Sequence, residues 1–430
     1  MKNLFVKHLS RIMAILVVGG GIGLFLLTLV FCLPSSTIMK NLQSSIWQFR
    51  EEGYYPIEIG GYPGTQKDNF TDIVMLSSAM YYNSSKSALD KAIHVYRKSY
   101  PSANGDLLKN MQYQVENAMS WEEVSHIEYS RYWHGYLIFL RPLLQFFSYE
   151  QLCQLSRLLQ FLLTVSIIYL LGKNRKPILL VAFLAYIFTT SPVIVVSSMQ
   201  FMSVHYITLL AILVLVICKE KEADRRYDLE WYAYFFLLIG MLTSFFDFLT
   251  APILTLGIPL LVAVSLEQHM STKKLLMQLV VCGTMWSIGY LGLWLMKWVL
   301  GSLLSGENLF VQAFNSLMFR TSESFAGTNN LRSLVIDKNM SILNEPYKMI
   351  YVGALLFAIC GCIKNKVNAK RLFIDGWPLL LFACTPFAWW LATANHAFIH
   401  SWFTYRSISI AIFSILVWAD WTRIGPLSEN

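Results

Sequence analysis

The residues of this chain best suited to chemistry gather at the ends of apolar runs, where a charge is costly unless it is paired or reaches water. Asp72 precedes the apolar stretch IVML, and Arg131 and His134 stand in YSRYWHGYLIFLRPLL. Gln200 and His205 flank a short turn between two apolar runs, and Asp247 sits among Phe245, Phe246 and Phe248. Arg320 lies in a later hydrophilic segment, while Asn395, His396, His400 and Arg406 share ANHAFIHSWFTYR. A sheltered carboxylate such as Asp72 can take a proton from an attacking hydroxyl. It can equally help to begin a helix, with Thr71 or Asp72 at its start, and the nearby Asp68 competes for the catalytic role. Asp247 needs either a structural partner or a place in a polar site. Arg131, Arg141 and Arg406 could pair a planar fork with two phosphate oxygens, or they could be interfacial cations that snorkel. His396 and His400 share one helical face at a spacing that can suit a metal. No acid stands beside them, so hydrogen-bonding histidines are expected there and no metal site is assigned, although a divalent metal could still assist the chemistry.

The elements that must position these residues belong to a membrane protein. The chain is 55% hydrophobic and 14% charged, whereas soluble chains carry charge on roughly a quarter of their residues to cover their surface. The formal charge of +8 does not imply nucleic acid, because the lysines and arginines form no basic patch with interleaved aromatics. They lie in short clusters between apolar runs. The seven cysteines lie in or beside those runs, none between residues 34 and 150, so no disulfide framework is expected there. Cys360 and Cys362 read as small core residues. The first apolar run, near 12–33, suits a retained spanning helix better than a cleaved signal sequence.

The expected fold is an all-α polytopic membrane protein, one membrane domain over residues 1–430. It has about ten transmembrane helices, at 12–33, 152–171, 177–197, 203–218, 231–247, 250–266, 275–299, 347–363, 372–392 and 404–420, read from apolar run lengths. Pro192, Pro252, Pro259 and Pro378 mark expected kinks or re-entrant breaks. With the N-terminus in the cytoplasm, the basic stretches GKNRK, KEKEADRR, STKK and KNKVNAKR all fall inside, as the positive-inside rule requires. The C-terminus is then cytoplasmic too. Residues 34–150 and 300–346 become two extracytoplasmic loops, the first directly after helix one and carrying short amphipathic juxtamembrane helices. The run 134–147, broken by Arg141 and Pro142, reads as a juxtamembrane or re-entrant element.

This layout resembles the GT-C superfamily of membrane glycosyltransferases, whose first helix is followed by a large external loop with juxtamembrane helices and an acidic residue. The stretches NFTDIVML, SRYWHGYLIFLRPLL, FFDFLTAPILTLGIPL and NHAFIHSWFTYR look like those of bacterial GT-C-type proteins that decorate cell-surface polysaccharides. The resemblance implies transfer of a hexosyl or N-acetylhexosaminyl group from an undecaprenyl-phosphate carrier to an extracytoplasmic cell-wall or surface glycan, with inversion. Asp72 takes the place of the loop acid, with Glu51, Glu52 and Glu58 as other carboxylates of that loop. Arg131, His134, Asp247, Asn395, His396, His400 and Arg406 are the expected substrate- or phosphate-binding set. The implied partners are the lipid-linked donor, the glycan acceptor and membrane lipids, in a multi-pass cell-membrane protein with its active site outside. A polysaccharide polymerase or ligase, or a lipid-linked oligosaccharide flippase or transporter, are the alternative readings. No Walker loop, GxSxG or HExxH stands in the chain, which removes support for nucleotide-driven transport, serine-hydrolase and zincin chemistry.

Overall fold

A computed structural model describes residues 2–116, 124–221, 228–267, 270–343, 345–364 and 366–424. The chain begins with α1 (Lys2–Phe31), followed by α2 (Ser35–Asn41), α3 (Gln43–Glu52), α4 (Asn69–Ala79) and α5 (Ala88–His94). Strand β1 (Arg97–Ser99) pairs antiparallel with β2 (Ser125–Ile127) around α6 (Leu107–Glu116), and α7 (Leu137–Leu143) returns to the apolar region. Then come α8 (Tyr149–Lys173), α9 (Pro177–Thr189), α10 (Pro192–Val195), α11 (Met199–Lys221), α12 (Leu229–Phe246), α13 (Leu254–Leu266) and α14 (Thr272–Ser305). A second hydrophilic segment holds α15 (Leu309–Arg320), the small hairpin β3 (Ser324–Phe325) and β4 (Thr328–Asn329), and α16 (Leu331–Met340). The chain closes with α17 (Glu345–Lys364), α18 (Ala369–Phe382), α19 (Thr385–Ala392), α20 (Ala394–Ile399), α21 (Ser401–Thr404) and α22 (Ile408–Ile424).

The protein is therefore an all-α polytopic membrane protein, with eight stretches of helix long and apolar enough to cross a bilayer among the described residues. Two more expected spans are shorter apolar helices, α9 and α13. At 1.5 Å per residue, the 13 residues of α13 reach only about 20 Å, against a hydrocarbon layer of about 30 Å. All of them are buried in protein. A short or interrupted helix is tolerated at membrane depth in that setting, because neighbouring protein satisfies the backbone at its ends.

Two apolar runs break where a proline opens the next helix. The run 177–197 divides at Ser191, which adopts φ 59° before Pro192 opens α10. The run 372–392 divides after Phe382, and Pro386 sits in the first turn of α19. Pro259 and Pro378 lie inside α13 and α18. Most of the KEKEADRR stretch lies outside the described residues.

Among the described residues, two large apolar cores with two smaller clusters beside them organise the fold. One joins α9, α11, α13 and α22. The other joins Leu27 and Phe31 of α1, Leu237 and Met241 of α12 and Leu293 of α14 to residues of the first hydrophilic segment, among them Phe49, Ile73, Leu76, Met111 and Trp133. That segment gains its order from burial against helices, each large apolar side chain contributing on the order of 1.5–3 kcal/mol. The seven cysteines are all free.

Candidate functional site

Helix α12 ends where Asp247 leaves the helical region, at φ −93° and ψ 148°. The Asp247 carboxylate accepts from the Thr250 N–H at 3.0 and 3.2 Å, and Pro252 prevents α12 from running into α13. Leu249 is held at φ 66° inside this turn, a conformation that costs a branched L-residue on the order of 1–3 kcal/mol and persists where packing enforces it. Its carbonyl faces Nε2 of His396 at 2.6 Å.

Three segments close around this turn. The first is 129–136, stitched down by Gly135 N–H to Phe245 O at 2.8 Å, Trp133 Nε1 to Leu293 O at 2.7 Å and Trp298 Nε1 to Arg131 O at 3.0 Å. A Cβ at Gly135 would lie 2.5 Å from the Phe245 carbonyl oxygen, so only glycine permits this contact. The second is the end of α15, where Arg320 points one guanidinium nitrogen at both His396 Nδ1 and His400 Nε2, each 3.1 Å away. The third is α20, fastened by Asn395 Nδ2 to Ser322 Oγ and Ser324 O at 3.0 and 3.2 Å.

The histidines are neutral hydrogen-bonding groups here. Burial pushes His134 and His400 down to about 3, and holds His396 well below its ordinary range with help from His400 and Arg320. The partners assign the tautomers. His396 donates from Nε2 to Leu249 O and accepts Arg320 at Nδ1. His134 donates from Nε2 to Tyr129 O at 2.7 Å and accepts the Tyr136 hydroxyl at Nδ1, 3.2 Å away. The HxxxH pair is thus bridged by a guanidinium, and a cation already stands at the two nitrogens that would face a metal.

Arginines around Tyr129 complete the arrangement. Arg131 lies over the rings of Tyr129 and Tyr132 at 4.3 and 5.3 Å. Burial raises the Tyr129 phenol, and the positive charges of Arg131, Arg320 and Arg97 pull it back. The Nε of Arg97 and of Arg131 is buried without a hydrogen-bond partner among the described residues, as are Tyr290 Oη and Trp294 Nε1. Trp294 packs on Tyr132 and Tyr290 with centroids 5.8 and 4.9 Å apart. Buried donors without acceptors cost about 1–3 kcal/mol each, and an anionic ligand would satisfy them. Burial also lifts the Asp247 carboxyl to about 7, against the opposing pull of its hydrogen bonds to Thr250, Phe248 and Leu249.

No family model, curated protein or solved structure matches this chain. The site's meaning rests on its geometry alone.

The other expected site residues lie in different surroundings. Asp72 is fully buried and accepts from Tyr149 Oη at 2.8 Å, Met199 N at 2.9 Å and Gln200 N at 3.0 Å. It thus caps the first turn of α11, where unpaired N–H groups and the helix dipole favour an anion. Burial raises it to about 7. The helix that begins beside it is capped by Asp68, which accepts from Thr71 N and Oγ1 at 2.9 and 3.0 Å and is raised by burial to about 6. Asp72 and Asp247 are linked indirectly, because Gln200 O accepts from Thr250 Oγ1 at 3.4 Å. Arg406 directs its fork at backbone carbonyls, with Thr190 O at 2.9 Å, Gly64 O at 3.1 Å and Trp402 O at 3.3 Å. Arg141 does the same at the end of α1, through Val30 O and Leu33 O at 2.8 Å and through Ala79 O. His205 meets Tyr186 Oη at 3.2 Å. Lys67 pairs with both Glu52 and Glu58, and Glu51 is exposed.

Arg97, Tyr129, Tyr290 and Trp294 had no place in the sequence reading. The tyrosines flanking Arg131 in YSRYWHGY were the one visible signal, since aromatic faces on both sides of an arginine favour a stacked guanidinium.

Proposed function

We propose that this protein is a glycosyltransferase of the GT-C type that moves a sugar from a polyprenyl-phosphate carrier to a glycan acceptor. The observation that carries this reading is Arg131, stacked on Tyr129 and Tyr132 with its Nε buried and open, together with Arg320 on the histidines that hold the turn after Asp247. Guanidinium groups with open donors suit a phosphate leaving group. A carboxyl with proton affinity near 7 suits a base working at neutral pH.

In the proposed step the acceptor hydroxyl oxygen forms the new bond to the anomeric carbon while the bond from that carbon to the phosphate oxygen breaks. The electron pair leaves with the lipid phosphate, whose charge the arginines offset, and the hydroxyl proton passes to Asp247. One displacement inverts the anomeric centre. Asp247 takes this role ahead of Asp72, because its hydrogen bonds come from its own turn, whereas Asp72 holds Tyr149 and the start of α11 and could meet a substrate only if the first turn of α11 moved. Its proton affinity, also near 7, is the observation that keeps Asp72 as the second candidate. Arg406 and Arg141 act as positioning residues.

The accompanying topology has ten spans, with α9 plus α10 and α13 as the two short ones. The termini lie in the cytoplasm and residues 34–150 and 300–346 outside. The distribution of lysine and arginine supports it.

The test is turnover by purified full-length protein in detergent, supplied with labelled undecaprenyl-phosphate sugars and candidate glycans. Transfer that is lost in Asp247→Asn and weakened in Arg131→Gln supports the reading. Transfer indifferent to both substitutions, or none with any lipid-linked sugar, overturns it.

A further inference from the structure

Outside this site, polar side chains from three parts of the chain converge on His94: Asp90 of its own helix, Glu128 with Ser130, and Glu307. The imidazole is 1% exposed, and it ends α5, whose last carbonyls are held by a buried lysine of α14. Lys297 Nζ donates to Ala92 O at 3.1 Å and Ile93 O at 2.6 Å. On one side of the ring, Asp90 Oδ1 stands 3.5 Å from Nε2. On the other, Nδ1 faces Glu128 Oε2 at 3.8 Å and Glu307 Oε2 at 3.9 Å, with Ser130 Oγ at 3.3 Å. Glu128 follows β2, whereas Glu307 lies just past the end of α14. The candidate ligand atoms of His94, Glu128 and Glu307 all lie within 4.8 Å of one another.

We propose that His94, Glu128 and Glu307 bind one divalent transition-metal ion, zinc by preference, with Asp90 orienting the imidazole. A carboxylate behind one ring nitrogen fixes the tautomer that presents the lone pair of the other, which Ser130 Oγ meets at 3.3 Å and a metal could take instead. One imidazole and two carboxylates form a donor set that zinc accepts, with water completing the sphere. Ligand atoms around zinc sit about 3–3.5 Å apart at bond lengths of roughly 2.0–2.2 Å. The approach needed is therefore short, and Glu128 and Glu307, with side chains 39% and 57% exposed, are free to make it. The ion would tie the β1–β2 ribbon to the end of α14. Lys86, 3.3 Å from Asp90, leaves the Glu128 and Glu307 charges for the metal. This inference does not depend on the proposed transferase activity.

Full-length protein in detergent, freed of any affinity tag and stripped with a chelator, is dialysed against Zn2+, with Mn2+ and Mg2+ as comparison probes. Bound metal is counted by mass spectrometry, and melting is followed with and without Zn2+. One zinc per chain is expected, with affinity at least tenfold weaker in Glu307→Gln, Glu128→Gln and His94→Gln and unchanged in His400→Gln. Zinc should raise the melting midpoint of the wild type and leave that of Glu307→Gln in place. Because Glu307 is exposed, that variant should melt like the metal-free wild type, which separates loss of the ligand from loss of the fold. No retained zinc, or retention and a melting shift equal in wild type and Glu307→Gln, overturns the proposal and leaves His94 as an imidazole paired with carboxylates.

Discussion

Gly240 of α12 and Gly289 of α14 face each other where the two helices pack backbone against backbone. A Cβ on Gly240 would lie 2.1 Å from Trp286 O, and one on Gly289 would lie 2.1 Å from Leu237 O. Such backbone proximity is how helices associate in a medium as apolar as their own side chains. This crossing sets the site, because α12 ends at Asp247 while α14 carries Tyr290, Trp294 and Trp298.

Gly240→Ala and Gly289→Ala should each destabilise the protein, on the order of 1–3 kcal/mol, since backbone atoms cannot step aside as a side-chain tip can. Both should also impair ligand binding. Gly283→Ala, with no atom within 4 Å of its added Cβ, serves as the control. Thermal melting in detergent checks the order, and equal melting of the three variants would refute the close crossing.

Asp247→Asn and Asp72→Asn separate catalysis from support. The first should lower the transfer rate by about 10²–10⁴-fold while the protein stays folded, the span a general base contributes. The second should chiefly lower the melting temperature, because an amide has one acceptor oxygen where the carboxylate uses two, which leaves a buried donor of Tyr149, Met199 or Gln200 without its partner. Initial rates and melts on the same preparations decide between them. A larger rate loss in a well-folded Asp72→Asn would return the base to Asp72.

The arginines divide in the same way. Arg131→Gln should raise the concentration of lipid phosphate needed for half-maximal rate by tenfold or more. Arg141→Ala and Arg406→Ala leave carbonyls of distant segments without donors and should destabilise by a few kcal/mol. Binding of a polyprenyl-phosphate analogue at several salt concentrations is the readout, with the salt slope falling in the Arg131 variant alone.

The pH dependence follows from the signs of the shifts. Asp247 is raised by burial to about 7 from an unfolded value near 4, so across that interval the folded state holds a proton that the unfolded state has lost. Its stabilising contribution is full below the unfolded value and is lost as pH rises through about 7. Asp72 behaves alike. The lowered His134 and His400 act in the opposite sense. Their contribution is full above about 6.5 and is lost as pH falls towards about 3. The two slopes offset each other in the wild type between about 4 and 6.5. Asp247→Asn should therefore gain stability relative to wild type as pH rises from 5 to 8, and the wild-type transfer rate should rise through pH 7. Paired melts across that range measure the first effect, and a pH–rate profile measures the second.

Much of the architecture was legible before any coordinates. Each apolar run of the sequence became a helix, because a bilayer-crossing segment needs a long uninterrupted apolar stretch. The run at 177–197 divided beside Pro192 as expected, whereas 372–392 divided beside Pro386, and Pro378, the break expected there, lies inside α18. The lengths were harder to read, since α13 is 13 residues and α14 is 34. Burial of α13 on every side and the αL glycine at Gly306, φ 75°, set those limits, and neither follows from hydropathy. The short β1–β2 and β3–β4 pairs were not foreseen.

By itself the sequence determined that this is a helical membrane protein whose polar residues stand at the ends of its apolar runs, because the cost of burying charge acts on local composition. It could not say which arginine keeps open donors, nor which aspartate is capped. Arg406 is committed to Gly64, 342 positions away, and Asp72 to residues 127 and 128 positions along. A donor or acceptor is used or open according to what the fold brings beside it, and that pairing exists only once the helices are packed.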